Sequence, residues 1–187
     1  RIPRPRLASV STRVEEVRPG AGLRLDPEGP RGFWAREGRW FAHLGAAGVV
    51  EVTDPQKDGN RFQAVWKEAM SHLAAAAPDP ESQVSPPPPR FFGGFAFRDG
   101  HLPEEAWAGF PAAHFILPEV ELMGGEGGAT LTCRGFLDPE DDHEACRQRL
   151  QERLTRLTEL LAAPSQGIPP GEPWIPATRV ETELESW

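Results

Sequence analysis

Asp141, Asp142 and His143 form the densest run of potential ligands in the sequence, two carboxylates and an imidazole in line. A metal site or a proton-transfer pair is the chemistry such a run could serve. The three precede an amphipathic stretch, however, and carboxylates at a helix start complement the positive end of its dipole, which accounts for them structurally. His43, His72, His101, His114 and His143 are dispersed and lack the HExxH spacing that puts two imidazoles on one helix face, so no local metal site is expected. Glu104 and Glu105 lie between two apolar runs and read as a solvated loop rather than an acid–base pair. No GxSxG nucleophile motif occurs. Gly93 and Gly94 lack the full GxGxxG pattern and a following helix, which argues against a phosphate cradle. Two glycines inside a strand mark a bulge, a backbone geometry other residues avoid, or a neighbouring chain too close for a Cβ, and the bulge is the preferred reading.

The elements that must position these residues follow from periodicity. Leu7 to Val17 alternates in part and suits a strand. Residues 18–32 are rich in proline and glycine and read as loop. Phe33–Glu37 and Arg39–Leu44 flank Gly38 as a tight hairpin, with Trp34 and Trp40 adding apolar area, and the strand signal resumes at Val49, Val50 and Val52. Phe62, Val65, Trp66, Ala69, Met70 and Leu73 recur at spacings of three and four, which predicts an amphipathic helix capped by Asn60, ending before Pro78. The helix is followed by SPPPPR (Ser85–Arg90), an exposed semi-rigid connector. The stretch from Arg90 to Pro118 then gives two core strands joined by an acidic surface loop. Val120 to Arg134 alternates around MGGEGG as a hairpin with one wet face. Cys146, Leu150, Leu154, Leu157 and Leu161 predict the buried stripe of a second helix. Residues 163–177 are linker, and Thr182 and Glu185 have capping-box spacing.

At 187 residues the chain is long enough to bury a core without staples. A net charge of −8 opposes wrapping a nucleic-acid backbone, and the one basic cluster, Arg1, Arg4 and Arg6, is interrupted by proline. No apolar run reaches the ~20 residues of a membrane span. No signal-peptide pattern is seen, so a cytoplasmic location is expected. Cys133 and Cys146 form no CxxC pair and read as free thiols of a reducing compartment.

The text FFGGFAF (Phe91–Phe97) followed by WAGFPAAHFILP (Trp107–Pro118) resembles the strand pair in the amino-terminal half of isochorismate synthases, members of the chorismate-utilising family. The resemblance, together with the periodicities, implies an α+β fold: an antiparallel sheet with two main amphipathic helices packed on it, half of the family's α/β sandwich. It divides the chain into an α+β subdomain over residues 1–162 and a linker with the start of a helix over 163–187, leading to a catalytic half beyond Trp187. In the intact enzyme, Mg²⁺ holds the substrate, a lysine activates water and a glutamate protonates the leaving oxygen as chorismate becomes isochorismate, for menaquinone or siderophore synthesis. The lysine- and glutamate-bearing motifs of that half do not occur here. Neither Lys57, in a polar loop, nor Lys67, on the helix away from Phe62, Trp66 and Leu73, matches them. No catalytic, cofactor-binding or metal residue is therefore carried over. The segment is expected to be inactive alone, to bind no cofactor, to have the catalytic half as its partner, and to be prone to self-association. Salicylate, anthranilate and aminodeoxychorismate synthases share the architecture and are the alternatives, beside a self-contained interaction module.

Overall fold

The alternating apolar positions become strands. The computed structural model describes residues 5–15, 17, 21–25, 29–53, 60–74, 76, 84–97, 109–125, 127–138 and 140–163. In chain order these hold β1 (Arg6–Val14), β2 (Arg31–Arg36), β3 (Arg39–Leu44), β4 (Gly48–Val52), α1 (Arg61–Leu73), β5 (Phe92–Phe95), β6 (Ala113–Leu117), β7 (Val120–Gly125), β8 (Gly128–Leu137) and α2 (His143–Ala162), with a 3₁₀ turn at Ala21–Arg24. The α+β class is as expected, although the strands form two antiparallel sheets rather than one. Five strands run in the order β1-β8-β7-β3-β2 and three in the order β4-β6-β5. The calls on residues 98–108 and 164–187, including Glu104, Glu105, Trp107, Thr182 and Glu185, and those on Lys57 and His101, lie outside the described residues.

The two sheets are joined by continuous chain, β3 leading into β4 and β6 into β7. Leu44 lies opposite Val120 and Gly48 opposite Leu117, so Gly45, Ala46 and Ala47 face only Pro118 and Glu119. This extra residue is accommodated by Gly45 at φ +65°, whose N–H donates to Pro30 O at 2.8 Å, while Ala47 N–H donates to Leu117 O at 2.8 Å. On one side of the bulge β7 lies between β3 and β8, and on the other β6 lies between β4 and β5.

The main core lies on one face of the larger sheet. Val10, Val14, Ala42, Leu44, Val120, Leu122, Leu131 and Cys133 pack with Leu154 and Leu157 of α2. Asp142 caps that helix, its carboxylate accepting from Glu144 N–H at 3.0 Å and Ala145 N–H at 3.3 Å, so the acidic run serves the helix start as its position implied. The β2–β3 turn places Glu37 and Gly38 at φ 52° and 76°, as a two-residue hairpin turn requires. Both cysteines are buried and free.

Four expectations are corrected. The segment Ser85–Arg90 is not an exposed spacer: Pro87 O accepts from Arg134, and Arg90 reaches Glu121, so it packs on the sheet. The β7–β8 hairpin has no wet face at its middle, since Glu121, Thr132 and Arg134 are fully buried. β5 is an exposed edge rather than a core strand, with Phe97 open to solvent. Helix α1 is capped by Asn60 as predicted, but it buries Val65 against β4 and Arg61 against Ala96 O and the Phe95 ring, and leaves Phe62, Trp66 and Met70 exposed.

The register of β5 on β6 is regular from Phe92↔Ile116 to Phe95↔Ala113, so Gly93 and Gly94 do not form a bulge. Close approach is the reason for Gly93. A Cβ there would stand 2.0 Å from His114 O and 2.6 Å from the Phe115 Cα, whereas one at Gly94 would meet nothing within 4 Å.

Candidate functional site

The strongest concentration of polar chemistry lies on the face of the larger sheet turned away from α2. Alternation along β7 and β8 sends Leu122, Leu131 and Cys133 toward the helix and therefore Glu121, Thr132 and Arg134 the other way. Glu121 faces Thr132 directly, and Arg134 stands on the diagonal, within reach of a long side chain. Its Nη1 donates to Glu121 Oε2 at 2.9 Å and its Nη2 to Pro87 O at 2.9 Å. Arg90 Nε lies 3.4 Å from Glu121 Oε1, and Arg90 Nη2 is 3.1 Å from Met123 Sδ. One buried carboxylate thus joins two guanidiniums and ties the proline segment onto the hairpin.

His43 on β3 is the cross-strand partner of Glu121. Its ring stacks on Phe92 at 4.8 Å and 12° between planes, and Phe41 lies 4.8 Å from the same Phe92. Gly32 leaves room for this ring, since a Cβ at that position would lie 2.3 Å from His43 Nε2. On the neighbouring strands Ser11 and Thr132 share a buried hydroxyl hydrogen bond of 2.8 Å. Among the described residues His43 Nδ1, Glu121 Oε1 and Arg134 Nε have no hydrogen-bond partner. The 3.4 Å contact from Arg90 to Glu121 is therefore an ion pair without hydrogen-bond alignment.

Electrostatics makes this cluster a fastening rather than a proton-transfer site. Burial holds the His43 imidazole below its ordinary value, so it is neutral at pH 7. Burial also lowers the Arg134 guanidinium, opposed by the charge and hydrogen bond of Glu121. A guanidinium stays protonated in proteins and so exchanges no proton, and Glu121 is committed to it. Behind the sheet, burial raises the Cys133 thiol to about 12, which removes it as a nucleophile. Arg153 of α2 pairs with Glu119, and the Glu119 carbonyl accepts from Arg134 N–H at 2.7 Å, which links helix, bend and cluster.

The other residues weighed in the sequence do not converge. His72 contacts Phe91 and Phe136, and His114 pairs with Glu51 across β4 and β6 at 3.2 Å on a half-exposed surface. His143 opens α2, and Lys67 is exposed on α1. Among the described residues no three His, Cys, Asp or Glu side chains are grouped to hold a metal. No helix among them is long and apolar enough to cross a membrane. The cluster of Arg90, Glu121, Arg134 and His43 was not anticipated. Its signal was present in opposite charges on one hairpin face, two positions off register, but alternation alone assigned that face to solvent.

The chain matches, over residues 1–187, the family described as chorismate binding enzyme. No curated protein matches it.

Proposed function

Because the chain belongs to the chorismate-binding enzyme family, we propose that it is the amino-terminal segment of an isochorismate synthase, a scaffold whose intact form converts chorismate to isochorismate. The observation that carries this reading is the strand pair FFGGFAF and WAGFPAAHFILP. Its two halves are hydrogen-bonded neighbours, and Gly93 is required by the passing His114 carbonyl, so the resemblance rests on residues with a physical task. In the intact enzyme the C4 hydroxyl of chorismate is exchanged for a water-derived hydroxyl at C2, with a general base and a general acid on opposite sides of the ring.

This segment's contribution is positional. The Glu121–Arg134–Arg90 cluster holds β7, β8 and the proline segment in one register, and α2 braces the opposite face. The described residues do not fit Mg²⁺. Glu121, the buried carboxylate, already meets two guanidiniums, which would repel a dication. No reaction step is assigned to this segment, and the acid, base and metal ligands belong to a carboxyl-terminal half.

The test is turnover of chorismate with Mg²⁺. The 187-residue chain should yield no isochorismate, and the longer natural polypeptide should yield it. Isochorismate from the shorter chain would refute the scaffold role. A longer polypeptide that leaves chorismate unchanged would end the synthase assignment. Products that appear only with an ammonia donor would transfer it to an anthranilate or aminodeoxychorismate synthase.

A further inference from the structure

Two cores hold this protein together. Val10, Leu122, Leu131, Leu154 and Leu157 share one beneath α2, and Val50, Val52, Val65 and Ala113 form another between α1 and the three-stranded sheet. The chain passes between these units at the Gly45 bulge, through residues 45–47 on one side and Pro118 and Glu119 on the other. An extra residue bends a strand, and Gly45 at φ +65° has the backbone freedom a pivot needs. Away from that point the described contacts between the units are unlike either core. Phe92 rests on Phe41 and His43, and His72 meets Phe136 at 5.1 Å, all of them half-buried rings. The backbone bridge between Leu7 and Ala76 is isolated. The firmer ties are polar: Pro87 O and Arg90, from the proline segment, hold the buried Arg134 and Glu121 of the larger sheet.

Closure leaves these ties imperfectly paired. Among the described residues His43 Nδ1, Glu121 Oε1 and Arg134 Nε are buried without a hydrogen-bond partner, a cost that contact with water would relieve. We propose that the three-stranded sheet, α1 and the Pro87–Arg90 strap form a lid, which lifts from the larger sheet on a hinge at Gly45 and Pro118. Opening wets the three unpaired atoms, breaks no ladder within either sheet and leaves both cores packed. Its cost is confined to half-covered rings, the isolated bridge and the polar contacts of the strap, which places it well below that of global unfolding. Arg90 is the latch, a side chain 40% exposed that reaches from the strap to the buried Glu121 carboxylate. The motion belongs to the fold and holds whichever reaction the intact enzyme performs.

Ser9, the buried cross-strand partner of Arg134, lies under the lid, whereas Cys133 lies on the α2 face of the same sheet. Ser9→Cys therefore puts a reporter for each side into one molecule, and S11C repeats the measurement at a second buried position under the lid. Maleimide labelling of the 187-residue chain in native buffer, followed by peptide mass spectrometry, reads the open population of each side when opening and closing are fast. The S9C thiol should label at least ~30-fold faster than Cys133 and with a shallower urea dependence, because lid opening exposes far less surface than global unfolding. Adding R90M should speed both thiols by the same factor, about 2–5-fold, since the latch is broken in the open and the unfolded states alike. Adding V65A, within the core of the lid, should speed Cys133 and leave the S9C thiol unchanged. Equal rates and urea slopes for the two thiols in both reporter variants would overturn the lid. So would R90M accelerating Cys133 alone, which keeps Arg90 engaged throughout, or V65A accelerating the S9C thiol, which means that the unit unfolds rather than lifts.

Discussion

Replacing Arg134 by methionine tests whether the buried cluster holds the fold together. The substitution keeps an unbranched apolar stem and removes the hydrogen bonds to Glu121 Oε2 and Pro87 O. Glu121, fully buried, is left with Arg90 alone, whose side chain is 40% exposed and lies 3.4 Å away without hydrogen-bond alignment. Breaking a buried pair by removing one partner costs about 3–5 kcal/mol, mostly the penalty of a stranded charge. For a chain of this size that lowers the melting temperature by roughly 6–20 °C. Arg90→Met, which removes the exposed member, should cost no more than about 1 kcal/mol. The ranking, with Arg134 far above Arg90, is the specific expectation. Urea unfolding followed by circular dichroism measures both variants. A deficit for R134M below about 1 kcal/mol, or an E121Q/R134M double variant no more stable than R134M, would refute the stranded-charge reasoning.

Other consequences follow from the same geometry. His43 is held below its ordinary pKa, so the unfolded chain takes up a proton first as pH falls below about 6.5, and stability drops with it. His43→Phe, which keeps the stack on Phe92, should flatten that part of the stability–pH curve between pH 7.5 and 5.5. Gly93→Ala should destabilise by about 1–3 kcal/mol, because its Cβ would collide with backbone, while Gly94→Ala should stay within about 0.5 kcal/mol; equal urea midpoints for the two would contradict the assigned clash. Cys133 should resist a thiol reagent at pH 8 until the chain unfolds, and labelling of the native protein at that position would contradict its burial.

Much of the fold was legible because local rules coincided with tertiary packing. Asn60 and Asp142 cap the helices that periodicity located, and Cys146, Leu154 and Leu157 face the core at the spacing that predicted them. The Glu37–Gly38 turn followed from a short loop between two aromatic strands. The misreadings share one cause, which is that alternation reports polarity and not what lies above a face. Glu121 and Arg134 read as solvated because each is charged, yet they cancel in a buried pair covered by the Pro87–Arg90 segment, and no one-dimensional pattern contains that pairing. The stripe on α1 was read correctly as apolar, but its covered edge is Val65 and not Trp66. The glycine pair gave a true signal of constraint, and the choice between bulge and close approach needed the neighbouring strand.

The pairing of β1 with β8 also sets a schedule for synthesis. Ser11 and Thr132, which share a buried hydrogen bond, are 121 residues apart in the chain. At ~5–20 residues per second, the first strand made waits roughly 6–24 s for the strand that receives it. Through that interval Leu7, Val10 and Val14 have no sheet to enter, and closing so long a loop makes late, slow assembly the natural order. Among the described strands β1 is made before all the others and paired only when β8 arrives, and the nascent chain depends on whatever shelters that strand until residue 137 has emerged.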